Sequence, residues 1–514
     1  MHRASTWALV VGVSLAAAGS CSLVTEGTDV QPTTSSAGGG GVGGDGSGGR
    51  GGDPGTGGDG GGGGPLGCID PSWAARLADS HENEPSGGAN VTPVAVATDP
   101  AGNVLVATSY KGVVHLGGGE YVGGSEERNA LVMKHDGAGT LLWGKSFADP
   151  NANKEELALG VAADPSGNVL VAGVFENDID LDGQPITFPG KPNAFAVKLD
   201  AAGTRVWGAG QPNAEARSIA AAPDGAAVWA GHITAAIEVG GIPLAYGGGR
   251  DFVVAKLNAG TGQTTWIRNY GDGGDQEANG VAVGSGGEIV VAGTFNATLI
   301  IGPTTHINPG ANDAFLAWFD AAGTPVRSQQ LGGVNSQSSR AVAADGAGGV
   351  VVAGVFREEI TIDGDHHTAA NNADELFVAR FDVDGALLWS RRFGDDEEQD
   401  VRALAVDPAT GHIYLTGHFF GSLDFGGPTL TNSDSGNEDL FIAILDGNGD
   451  HVFSASHGEG SGHQRANGIA PLGCGLVLAG VYEHPFDLNA AGSPLPEGEE
   501  YGSFVARIIP DLGP

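Results

Sequence analysis

The side chains whose types and spacing suit chemistry best are carboxylates. "GDDEEQD" at 394–400 and "GDGGDQE" at 271–277 place Asp395, Asp396, Glu397, Glu398 and Asp400 in one short segment and Asp272, Asp275 and Glu277 in another. Hard cations take several oxygen ligands, so two such loops on one face would suit Ca²⁺ or a basic ligand, while the same residues also read as a solvated acidic rim. "DGNGD" at 446–450 repeats oxygen ligands at alternate positions, as the start of an EF-type calcium loop does, yet it equally fits a tight turn. His412, His418, His451, His457, His463 and His484, with the pair His366 and His367, show no metal spacing and read as surface residues. No G-x-S-x-G elbow, Walker loop or H-E-x-x-H occurs, so no catalytic residue is assigned and Ca²⁺ is the one cofactor considered.

These residues sit in segments set by a repeat. The stretch "DPSGNVLVAGVF" at 164–175 returns as "DPAGNVLVATSY" from 99, "GSGGEIVVAGTF" from 284, "DGAGGVVVAGVF" from 345 and "DPATGHIYLTGHF" from 407. The last residue of its "VLVAG" strand recurs at Thr108, Gly173, Gly231, Gly293, Gly354, Gly417 and Gly480, in steps of 65, 58, 62, 61, 63 and 63 residues. A second strand follows each, as in "AFAVKLD" at 194–200 and "LFVARFD" at 376–382, with the alternation of half-buried strands. A third carries an aromatic: Trp143, Trp207, Trp266 and Trp389, with Phe453 in the sixth copy and Arg327 in the fourth. Ahead of these lies a strand of small residues such as "GVAAD", and turns such as "DPSG" and "DAAGT" join the strands in pairs.

Seven four-stranded units at even spacing predict an all-β fold, a seven-bladed β-propeller over 68–514. The small-residue strand is expected to line the crowded axis. The seventh copy has three strands, and "CIDPSWAARLADS" at 68–80 carries Trp73 in the position of Trp143, so the last blade is predicted to close with this N-terminal strand. The motif "AVDPxGNVLVAGxF…FVAKLDxxGxLLW", seen around 161–207 and in its kin, resembles the SBBP repeats of bacterial β-propellers. That resemblance covers nearly all of 68–514 and implies a fold found in exported proteins, with no single chemistry.

Closure puts Cys68 and Cys474 on one rim of one blade, where they form a disulfide that locks the ring or stay as two unpaired thiols. The third cysteine, Cys21, ends "AAAGSC" after an apolar run from Trp7 to Ala18 that fits a secretory signal over 1–20. Ala18-Gly19-Ser20-Cys21 resembles the lipobox of bacterial lipoproteins, with Ala18 where leucine is usual. Residues 21–67 then read as a tether: from Ala37 to Gly64 the chain is glycine with Asp, Ser and Thr, and only Val42 to bury. A lipoprotein at the outer membrane or cell surface is expected, and a secreted protein is the alternative. The net charge of −37 opposes nucleic acid and anionic lipid surfaces.

The functional expectation is a monomeric, non-enzymatic binding or scaffold module for a protein or glycan. It rests on departures from the repeat looking conservative. The alternatives are a propeller enzyme acting on polysaccharide through acidic residues at the axial mouth, and a calcium-dependent adhesion module.

Overall fold

A computed structural model describes residues 72–77 and 91–511, apart from 117–118, 124–126, 149–153, 191, 433–435, 459–461, 484–487 and 489–501. The signal segment, Cys21, the glycine tether, Cys68 and His484 lie outside the described residues.

Seven antiparallel four-stranded sheets form the blades of a propeller. Their first strands are Val91–Thr98, Glu156–Ala163, Ala214–Ala221, Gln276–Val283, Gln337–Ala344, Gln399–Val406 and Gln464–Leu472. These strands neighbour one another around the axis. The small residues expected there are present where blades meet: a Cβ on Gly160 would press on Ile219 of the next blade, and one on Gly468 would lie 2.9 Å from the Val96 nitrogen, across the ring closure. The second and third strands are buried on both faces, as in Ala227–Ile233 and Asp251–Leu257, because each blade is covered by two neighbours.

The last blade closes as predicted. Trp73–Arg76 pairs antiparallel with Gly502–Ile508, Trp73 opposite Arg507 and Arg76 opposite Phe504, and Leu77 N donates to Ser503 O at 3.0 Å. Hairpins between second and third strands, such as Asp178–Asp180 with Pro185–Thr187, project from the face that also carries the blade-to-blade connections. One of them joins its neighbour: Leu331 and Gly332 of blade four pair with Ile362 and Thr361 of the blade-five hairpin.

The opposite face is regular. Indole nitrogens of Trp73, Trp143, Trp207, Trp266 and Trp389 donate to Gly137, Ala201, Ala259, Ala321 and Gly447 carbonyls at 3.0–3.1 Å, each in a turn of the following blade. Beneath each ring lies a glycine of that turn with positive φ, for example Gly203 (φ 82°) under Trp143, where a Cβ would strike the indole. Arg327 takes the same place in blade four and donates to Val383 O at 2.6 Å while lying over Trp318. Phe453, which has no N–H, faces the one blade whose third and fourth strands come from opposite ends of the chain and share no turn. Buried lysines add a second bond on this face: Lys134–Asp99, Lys198–Asp164 and Lys256–Asp224 pair at 2.8–2.9 Å, and Lys198 also donates to Gly225 O and Ala259 O. Cys474 lies in the first turn of blade seven and is disulfide-bonded.

Candidate functional site: the axial cavity

Every first strand carries a β-bulge at the same place, between residues 93/95, 158/160, 216/218, 278/280, 339/341, 401/403 and 466/468. A bulge leaves one residue unpaired and re-aims its side chain. The repeated glycine of "VLVAG" exists for this reason: a Cβ at Gly173, Gly231, Gly293, Gly354, Gly417 or Gly480 would overlap the carbonyl that the bulge pushes across it. The unpaired residues are Val94, Leu159, Arg217, Asn279, Arg340, Arg402 and Asn467. Two residues earlier stand Thr92, Leu157, Glu215, Glu277, Ser338, Asp400 and Arg465.

Part of these two rings, Thr92, Val94, Leu157, Leu159, Glu215, Arg402, Arg465 and Asn467, lines a cavity of about 540 Å³, which opens on the connection face. Blades one, two and seven contribute an apolar set to its lining, Val94, Leu157, Leu159, Val174, Phe175 and Val481. The other side is charged. At the bulged position the departures from the repeat are not conservative, which corrects the expectation drawn from the strands at large. The period of two hid this, because the small residues of "GVAAD" and "SIAAAP" pack between blades while the bulged residue before them turns inward.

Two ionic groups occupy the charged side. In the first, Arg217 Nε contacts Glu215 at 2.8 Å and its Nη1 reaches Glu277 at 2.6 Å and Asn279 at 3.2 Å, while Arg250 holds the other Glu277 oxygen. Burial opposes ionisation of Glu277, but the Arg217 and Arg250 charges hold its carboxyl below the usual range. Buried His232, beside Glu215, Arg217, Glu277 and Arg250, is pushed down to about 4 chiefly by loss of solvent. In the second, Asp400 sits between Arg340 Nε at 3.1 Å and Arg402 Nε at 3.0 Å, and Glu438 binds both Arg465 and His463. His418 lies against this group, its pKa pushed to about 3 by burial and by Arg402. It is thus an interior residue, which corrects its assignment to the surface.

The carboxylates singled out from sequence divide three ways. Glu277 and Asp400 are axial and taken by arginines. Asp272 and Asp395 do one structural job in the connections from blade three to four and from blade five to six: Asp272 accepts from Gly274 N, Gln276 Nε2 and Thr298 N at 2.9–3.0 Å, and Asp395 from Glu397 N, Gln399 Nε2 and Ser422 N at 2.6–2.9 Å. Asp275, Asp396 and Glu397 stay on the outer rim, apart from both sets, and Glu398 leans 3.9 Å from Arg357. Among the described residues no three His, Cys, Asp or Glu gather as a metal site. In "DGNGD", Asp446 accepts from Asn448 N and Asp450 N at 2.7 and 3.0 Å, the turn that "DAAGT" makes elsewhere.

No protein-family model and no curated protein matches the chain. Solved structures similar to it are propellers. The Dos1 propeller shares 10% identity, 85% of this chain and 94% of that one, with a TM-score of 0.40. BamB from Moraxella catarrhalis shares 12%, 85% and 99%, with a TM-score of 0.34. The propeller domain of the trilobed protease from Pyrococcus furiosus shares 9%, 81% and 98%, with a TM-score of 0.40.

Proposed function

We propose that this is an exported propeller of the SBBP-repeat kind, held at the cell envelope by lipid on Cys21 and the glycine tether, which binds a small ligand in its axial cavity without transforming it. The observation that carries this reading is the cavity itself: a concave site of a size typical for small molecules, lined in part by the bulged strand position, whose residue type varies around the ring. A polysaccharide-cleaving reading needs a carboxyl kept protonated to serve as the acid. The axial carboxyls Glu277, Asp400 and Glu438 are instead buried against guanidiniums that keep them ionised. Binding is the simpler use of such a set.

The test is retention of an unknown. The full chain, incubated with the low-molecular-weight fraction of an envelope extract and washed, is expected to retain a compound that mass spectrometry detects and that Leu159→Trp, filling the cavity, no longer holds. Equal retention by both proteins, or none by either, removes the reading.

A further inference from the structure

The charged side of the cavity is not balanced. Around Asp400 and Glu438, three guanidiniums (Arg340, Arg402 and Arg465) share two carboxylates, and one of those carboxylates also binds His463. The group across the axis is even: Arg217 and Arg250 face Glu215 and Glu277. Glu483 accepts from His463 N at 3.2 Å and pairs with no guanidinium among the described residues, so by ion pairs the excess of guanidinium over carboxylate sits by blades six and seven.

Arg402 is where the surplus is least compensated. Its only partner among the described residues is Asp400, already held by Arg340, and its buried Nε lies 3.0 Å from Asp400 Oδ2 without hydrogen-bond alignment. Burial, and then the neighbouring Arg340 and Arg465 charges, oppose its protonated form more than Asp400 supports it. A buried guanidinium nitrogen that makes no aligned hydrogen bond costs stability and calls for a reason. Arg402 lines the cavity, with Arg465 beside it on that wall and Arg128 further round the lining; no side-chain partner of Arg128 is present among the described residues. Guanidinium forks match carboxylate geometry with two parallel bonds.

Opposite these arginines stand Leu157, Leu159 and Val174, with Val94 and Val481 completing the apolar wall. Glu155 and Glu176 lie towards the mouth, where Glu176 is 3.6 Å from Lys154. Deepening the binding reading above, on which it rests, the geometry points to a ligand of one class: a one-tailed organic carboxylate, its head on Arg402 and Arg465 and its apolar body on the Leu157–Leu159 wall.

Three probes of equal length and different head decide it: decanoate, decanol and decylammonium, each below its micelle concentration, measured by equilibrium dialysis against the full chain. Decanoate is expected to bind at least tenfold more tightly than decanol, and decylammonium least of all. Arg402→Gln should weaken decanoate tenfold or more and leave decanol unchanged, whereas Leu159→Trp should abolish both. Decanol or decylammonium binding as well as decanoate overturns the carboxylate assignment, as does an Arg402→Gln protein with undiminished decanoate affinity. If none of the three binds while the extract experiment still retains a compound sensitive to Leu159→Trp, this inference fails and the cavity reading stands; if neither gives binding, both fall. Should Arg402→Gln not fold, the ranking of the three heads on the unaltered protein decides alone.

Discussion

On the turn face, Trp73, Trp143, Trp207, Trp266 and Trp389 reach the next blade with the same bond, and Lys134, Lys198 and Lys256 each bury an ammonium against an aspartate. At the other mouth the equivalent strand positions hold Val94, Leu159, Arg217, Asn279, Arg340, Arg402 and Asn467, no two neighbours alike except Arg340 and Arg402. The polar groups differ in the same sense. Lys198 has Asp164 and two carbonyls, whereas Arg402 has half of one carboxylate. Sameness from blade to blade marks what holds the ring; variation at a fixed position marks where the ring has been shaped for something else.

The comparison breaks most visibly at the closure. Trp73 is buried, stacks on Gly139 and donates to Gly137, and its four-residue strand is all that completes blade seven. Trp73→Ala should cost about 3–5 kcal/mol, the range for deleting a buried large aromatic, read as a fall in the urea midpoint. A loss under about 1 kcal/mol would mean that this strand does not hold the ring.

The axial side is sharpened by acid. Unfolded, His232 and His418 take up protons near the usual 6.5; folded, they do so only near 4 and 3. Between those values the unfolded chain holds more protons, so the stability these residues contribute is complete above 6.5 and drains as pH falls. Each contributes a slope of about 1.4 kcal/mol per pH unit in that window. Asp313, whose burial raises its carboxyl to about 6, acts in the opposite direction but lies at the rim with Gln330. His418→Asn leaves Asp313 and His232 in place and should flatten the slope between pH 6.5 and 4 by one histidine's share, measured by urea unfolding. Unchanged slopes would place His418 in solvent.

Much of the architecture was legible because it repeats. The "DPSGNVLVAG" spacing located seven blades, and Trp73 located the closing strand, since both follow from short-range turn chemistry and alternation. Two of the carboxylates chosen from sequence, Glu277 and Asp400, do reach the axis. The arginines that meet them did not stand out, for Arg217 pairs with Glu277 across 60 positions and Arg340 with Asp400 across 60. That separation is close to one repeat, so comparing one strand position from copy to copy would have exposed the ring. The bulge was encoded as well, in the glycine of "VLVAG", but a glycine at the end of a strand says a carbonyl approaches without saying which neighbour turns inward.

The smallest effect tests the turn face at one of its two irregularities. Trp389→Phe keeps a ring over Gly449 and removes only the bond from Nε1 to Gly447 O at 3.0 Å, so it should cost about 1 kcal/mol, the net worth of one such bond. Phe453→Trp restores the indole that five other blades carry, but the strands it faces are joined by no turn, the element that supplies the acceptor elsewhere. It should gain nothing, and the larger ring, packed against the same core as Val452, should bring a small loss. A gain near 1 kcal/mol in the urea midpoint would show that the seventh blade presents an acceptor like the rest, and that phenylalanine at 453 is not a consequence of where the ring is joined.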